Sequence, residues 1–110
     1  MGDDWEDNRP FSELYREAGE EWADKEAAAQ LLENCRTATL AEWAADQGDV
    51  PVNRAEQKVK SSPEWRDYNN KMVEARRLAN RAKIRLESIK MRAMEQHARE
   101  ANVRSEMRLT

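Results

Sequence analysis

At 110 residues, with 39% hydrophobic and 37% charged side chains, the chain offers little apolar surface for a self-sufficient compact core, which favours an extended or oligomeric helical protein over a globule. Three glycines, three prolines and a composition led by Ala, Glu and Arg argue against a sheet protein. The net charge of −3 conceals a division, because residues 1–50 carry 14 Asp/Glu against 4 Lys/Arg and residues 51–110 carry 8 against 15.

The opening stretch, MGDDWEDNRP, is acidic where a secretory leader would be basic and then apolar, and no run is long enough to cross a bilayer. A soluble protein with no membrane partner is expected, in the cytoplasm. Cys35 stands alone, so it has no internal disulfide partner, fits a reducing compartment and reads as a small core residue.

Residues 1–11 are read as an acidic, flexible N-terminus and 12–110 as a single helical domain. Ser12, with Phe11 before it, predicts an N-cap and a short helix over 12–18 that Gly19 interrupts. A second, long helix is expected over 20–47, with acids in its first turn and Gly48 placed for a left-handed C-terminal residue. Asn53 followed by Glu56 has capping-box form and predicts a third helix over 54–60. In SSPEW, two serines and Pro63 mark the start of a fourth, over 63–108, since proline is tolerated only in the first helical turn. Neither Gly nor Pro follows, and Asp67/Lys71, Glu95/Arg99 and Glu100/Arg104 are acid-first pairs four residues apart.

A heptad lies along this last helix without a skip. Its a and d positions include Trp65, Tyr68, Met72, Ala75, Ala79, Ala82, Leu86 and Ile89, followed by Ala93 and Gln96. This set is the expected packing seam, and its three alanines form a waist where another helix approaches closely. Arg76, Lys83 and Lys90 fall at e and Arg85 and Arg92 at g, so the facing helix should be acidic. The 20–47 segment answers that description with Glu20, Glu21, Asp24, Glu26, Glu33, Glu42 and Asp46, and with an apolar stripe of Trp22, Ala28, Ala29, Leu31, Leu32, Cys35 and Ala38. The expected fold is all-α: an elongated antiparallel helical hairpin or small bundle, with one long heptad-bearing C-terminal helix.

Partner classes follow from what the seam leaves over. Leu78, Ile84, Met91 and Met94, with Val73, put apolar groups on other faces of the long helix and nominate a face for a homo-oligomer or a second protein. Arg77, Arg81, Arg99, Arg104 and Arg108 are not needed for the seam and are the candidate nucleic-acid contacts, although Glu74, Glu87, Glu95, Glu100 and Glu106 interrupt them. The acids Asp3, Asp4, Glu6, Asp7, Glu13, Glu17, Glu20 and Glu21 allow a third class, a DNA mimic that occupies the site of a host protein. With His97 the single histidine and Cys35 the single cysteine, no Cys/His zinc site is available, and no glycine-rich phosphate loop exists. No enzyme, metal or cofactor is expected.

The segment AEQKVKSSPEWRDYNNKMVEARRLANRAKIRLESIKMRAMEQHAREANVRSEMRL, about half of the chain, resembles the C-terminal part of small helical proteins from the early or recombination regions of temperate bacteriophages. Those proteins share a long amphipathic helix with an Arg-Ser-Glu-Met-Arg-Leu-like tail. The resemblance implies a phage or prophage setting, hence a bacterial host cytoplasm, and an accessory role in DNA metabolism. It assigns no functional residue.

Overall fold

The computed structural model describes residues 8–109, which form three helices and no strand: α1 (Phe11–Ala45), α2 (Val52–Lys60) and α3 (Pro63–Leu109). Helices α1 and α3 run antiparallel as an elongated hairpin, with α2 packed at its closed end, and the molecule measures 86 × 23 × 18 Å. The all-α hairpin with a long C-terminal helix is therefore the architecture of this chain.

Local chemistry sets the helix ends. Ser62 caps α3, its Oγ accepting the Trp65 backbone N–H at 3.2 Å, and Pro63 fills the first helical position, where a missing N–H costs nothing. With no Gly or Pro beyond it, α3 continues for 47 residues, about 70 Å at ~1.5 Å per residue.

The other helix starts differ from the sequence reading. Pro10 precedes α1 with φ −58° and ψ 146°, and its carbonyl accepts the Glu13 and Leu14 amides, so the helix begins at Phe11 and Ser12 makes no side-chain cap. Pro51 plays the same part for α2 by accepting the Ala55 amide at 2.9 Å, which places Asn53 inside the helix and leaves the Asn53/Glu56 capping box unformed. In both cases a proline already held in extended geometry is a ready helix boundary, and its carbonyl supplies the first acceptor.

Gly19 does not interrupt α1: the expected helices 12–18 and 20–47 are one 35-residue helix. A glycine inside a helix costs about 1 kcal/mol relative to alanine. Tertiary packing offsets that cost, because Gly19 faces α3 at Leu86, which packs against the buried cluster of Leu14, Ala18 and Ile89. The helix ends at Ala45, two residues before Gln47, and Gly48 takes the left-handed conformation (φ 85°) in the turn that follows.

Two clusters bracket the hairpin. At the closed end Ala44, Ala55, Val59 and Trp65 are buried together, flanked by Leu40, Trp43, Val50 and Tyr68. Trp43 meets Trp65 and Tyr68 edge-on at 5.9 and 6.1 Å, Trp65 and Tyr68 stack at 5.5 Å, and the Arg36 guanidinium lies 5.1 Å from the Trp65 ring centroid. The Tyr68 hydroxyl donates to the Leu32 carbonyl at 2.6 Å, tying α3 to α1. Toward the open end Leu14, Ala18 and Ile89 are buried, with Phe11 and Leu86 against them. Between the clusters Ala29 and Ala79 are fully buried, so the two backbones approach closely across small side chains.

Helix α1 turns a different stripe inward from the one expected. Trp22, Ala29 and Leu32 do face α3, but Ala28, Leu31, Cys35 and Ala38 are exposed, and Leu14, Ala18, Leu40, Trp43 and Ala44 take inward positions. Cys35 is consequently a surface thiol rather than a core residue.

Candidate functional site

The basic stretch Ala75–Arg92 is the segment on which the expected partner classes differ. Arg76 reaches across to α1 and forms a fork: Nε and Nη2 donate to the two carboxylate oxygens of Glu33 at 2.8 and 2.7 Å, and Nη1 donates to Glu26 at 2.8 Å. Glu26 and Glu33 are one heptad apart on α1, so one arginine spans two turns of the facing helix. Gln30 donates to Glu26 from the intervening turn at 3.0 Å. These hydrogen bonds, that from Arg76 first, hold the Glu26 carboxyl below its ordinary value of 4.5, and Arg76 does the same for Glu33. In return the carboxylates of Glu33 and then Glu26 raise the Arg76 guanidinium. Nine residues on, Arg85 donates to Glu21 at 2.6 Å.

The flanking cations divide accordingly. Arg76 and Arg85 are taken up by α1, while Lys83 and Lys90 face solvent and Arg92 is exposed. Along the seam Trp65, Ala79, Ala82 and Ile89 are buried and Tyr68, Met72, Ala75 and Leu86 half-buried; Gln96, past the start of α1, is exposed and donates to Glu100.

The five candidate nucleic-acid arginines are exposed but do not converge. Arg77 donates to Glu74 on its own helix at 3.0 and 2.6 Å, which lowers the Glu74 carboxyl and raises Arg77; the nearby charge of Arg81 contributes to the former. At 100° per residue Arg81 and Arg99 share one side of α3, about 27 Å apart, while Arg104 and Arg108 project from a different side. The Asp67–Lys71 ion pair forms at 3.2 Å, but Glu95/Arg99 and Glu100/Arg104 do not close into ion pairs among the described residues.

The candidate partner face is also divided. Val73, Ile84 and Met91, 64%, 63% and 62% exposed, follow one line on the side of α3 away from α1. Leu78 is rotated about a third of a turn from Ile84, toward the seam. Met94 instead lines an open, apolar groove of about 770 Å³ between the start of α1 and α3, together with Phe11, Tyr15, Ile89, Ala93 and Ala98. The sequence reading missed this groove because Phe11 was assigned to the flexible terminus and Tyr15 to an isolated short helix. The signal available was the apolar i, i+3, i+4 spacing of Phe11, Leu14, Tyr15 and Ala18.

Of the acids that defined the mimic class, Asp3, Asp4, Glu6 and Asp7 lie outside the described residues. Glu17 pairs with Arg9, Glu20 with Arg16 and Glu21 with Arg85, so three of the remaining four carboxylates face a cation of the same chain. Among the described residues no group of three or more His, Cys, Asp or Glu side chains is placed to hold a metal ion, and His97 is exposed on α3. No helix among them is long and apolar enough to cross a membrane. No family model, no curated protein and no solved structure matches this chain.

Proposed function

We propose that this chain is a non-enzymatic helical interaction protein that works through self-association and a protein partner, as an accessory factor in a phage or prophage setting. One observation carries the preference for protein over polyanion. The cations beside the seam, Arg76 and Arg85, are bound to α1 carboxylates, whereas Val73, Ile84 and Met91 stand apolar and exposed along the outer face of α3. A one-sided apolar line on a long, otherwise charged helix is what a second helix covers. The phage setting rests on the resemblance read from the C-terminal half of the sequence alone.

Light scattering across a dilution series tests the self-association. The unmodified chain is expected to have at least a dimer's mass, and Ile84→Glu with Met91→Glu to reduce it to a monomer of unchanged helical signal. A monomer at every concentration of the unmodified chain refutes this part of the reading.

A second reading, an accessory nucleic-acid binder, draws on the exposed Arg81 and Arg99 on one side of α3. Titration of labelled single- and double-stranded DNA and RNA at several salt concentrations separates the two, because phosphate contacts strengthen steeply as salt is lowered. Absence of binding at low salt removes the second reading. The mimic reading has least support, given the paired Glu17, Glu20 and Glu21; it predicts inhibition of a host DNA-binding protein that disappears when residues 1–10 are deleted.

A further inference from the structure

Helix α3 outruns its partner. Gly19 faces Leu86 and Arg36 bonds Asn69, so in this antiparallel register the first turn of α1 lies beside Met94. Glu95–Leu109 then continues for about 22 Å at ~1.5 Å per residue with no α1 alongside. This overhang keeps the heptad of the hairpin. Ala93, Glu100 and Met107 fall at a, and Gln96 and Val103 at d, on the line that α1 covers along the hairpin itself. Val103 and Met107 are 53% and 70% exposed there.

The charges beside that line decide what can cover it. Arg99 and Glu106 fall at g, and His97 and Arg104 at e. A second tail laid parallel and in register would set Glu100 against Glu100 and Arg99 against Arg104, like charge against like. Laid antiparallel, with each a residue facing a d residue of the other copy, the same tail becomes complementary. The register in which Gln96 meets Met107 and Glu100 meets Val103 sets Arg99 against Glu106 of the second copy. Two-fold symmetry repeats that pair, and Glu100 comes beside the second copy's Arg104.

Neighbouring registers fail. One heptad closer, Leu109 of the second copy reaches the level of Glu87, and its last two turns run into the first two turns of α1. One heptad farther apart, Glu106 meets Glu106 and much of the overlap is lost. Between them, Leu109 comes level with Met94, where α1 begins, so the second tail takes up the line of α1 along the whole overhang. We propose that Glu95–Leu109 is a docking surface for the same segment of a second copy, the two tails pairing antiparallel about a two-fold axis between Ala101 and Asn102. This deepens the self-association proposed above and rests on that reading in taking a second copy as partner, but it uses the side of α3 opposite Val73, Ile84 and Met91. Glu100 at an a position fixes the register at a cost in stability, so the contact is reversible.

The test uses two full-length chains, both with Cys35→Ser, one carrying Gln96→Cys and the other Met107→Cys. With oxidised glutathione, their mixture is expected to give a disulfide-linked dimer on a non-reducing gel, and each chain alone to remain a monomer. Arg99→Glu in both chains should abolish the link, and Arg99→Glu with Glu106→Arg should restore it. No link in the mixture, or links formed equally by each chain alone, overturns the proposal, with matching circular dichroism establishing that the chains are folded. Adding Ile84→Glu and Met91→Glu separates the two faces. The link is expected to survive them, and its loss there overturns the tail pairing, whereas a mass by light scattering that those two substitutions leave unchanged refutes the outer face and not the tail.

Discussion

Gly19→Ala is expected to stabilise the protein. Gly19 sits inside continuous helix α1, where replacing glycine with alanine is worth about 1 kcal/mol in helix propensity. The cost that could reverse the sign is overpacking, typically about 1–3 kcal/mol where space is lacking. Here the nearest heavy atom to an added Cβ is Leu86 Cδ1 at 3.8 Å, an ordinary van der Waals contact, so the methyl fits and gains a little burial. The net expectation is about 1 kcal/mol of added stability, or a rise in Tm of roughly 4 °C for a chain of this length. Gly48→Ala is the matched opposite: nothing lies within 4 Å of its Cβ position, but φ is +85°, which costs an alanine about 1 kcal/mol. Urea unfolding followed by circular dichroism at 222 nm, at one protein concentration, reads both, with the midpoint rising for the first, falling for the second and the slope unchanged. A lower midpoint for Gly19→Ala refutes the continuous helix or the spacing between α1 and α3.

Ile89→Ala, which empties a fully buried position against Leu14 and Ala18, is expected to cost about 2–5 kcal/mol, whereas Ile84→Ala, on the exposed face, should stay within about 0.5 kcal/mol in the monomer. Similar losses for the two would mean that α3 presents a different face to α1. The acid limb of stability has a defined sign. The folded-state values of Glu26 and Glu33 are lowered by Arg76, so their contribution is present above about pH 4.5 and lost as pH falls through those lowered values. Denaturation curves of the unmodified chain and Arg76→Gln should therefore differ by a constant margin from pH 7 to pH 5 and converge below about 4.5. A margin that persists into stronger acid refutes the assignment.

The long helix was legible because its signals are local: Ser62 and Pro63 punctuate its start and nothing after them breaks it. The α3 face that packs was legible as well, since Trp65, Tyr68, Leu86 and Ile89 are large and recur at heptad spacing. Helix α1 resisted the same reading for a physical reason. Its AAAQLL segment places alanines and leucines around most of the helix, and alanine contributes so little apolar area that periodicity alone does not choose a face. The packing that does choose it, which buries Ala29 and Ala79 fully in the middle of the hairpin and sets Gly19 against Leu86, joins helices whose residues lie far apart in sequence. Gly19 and Ser12 were misread for a related reason: local propensity names a break or a cap, but long-range packing and the neighbouring Pro10 decided the outcome.

The ion pairs across the hairpin are better understood as control over what α3 binds than as the source of its stability. Exposed salt bridges are weak because water screens them, and the steric pattern already defines the register. A slip of one heptad would bring either Trp22 or Arg36 to the place of Ala29, where a fully buried alanine leaves room for neither. Without Glu26 and Glu33, however, α3 would display Arg76 beside Arg77 and Lys83, a cationic surface open to any polyanion. Glu26→Gln combined with Glu33→Gln should therefore leave helix content near that of the unmodified chain while conferring low-salt affinity for duplex DNA. One freed guanidinium is expected to steepen the dependence of log K on log salt by about 0.9. If the double variant stays folded and gains no affinity for DNA, those carboxylates do not mask a phosphate-binding face, and the charge division between the two halves needs a different physical explanation.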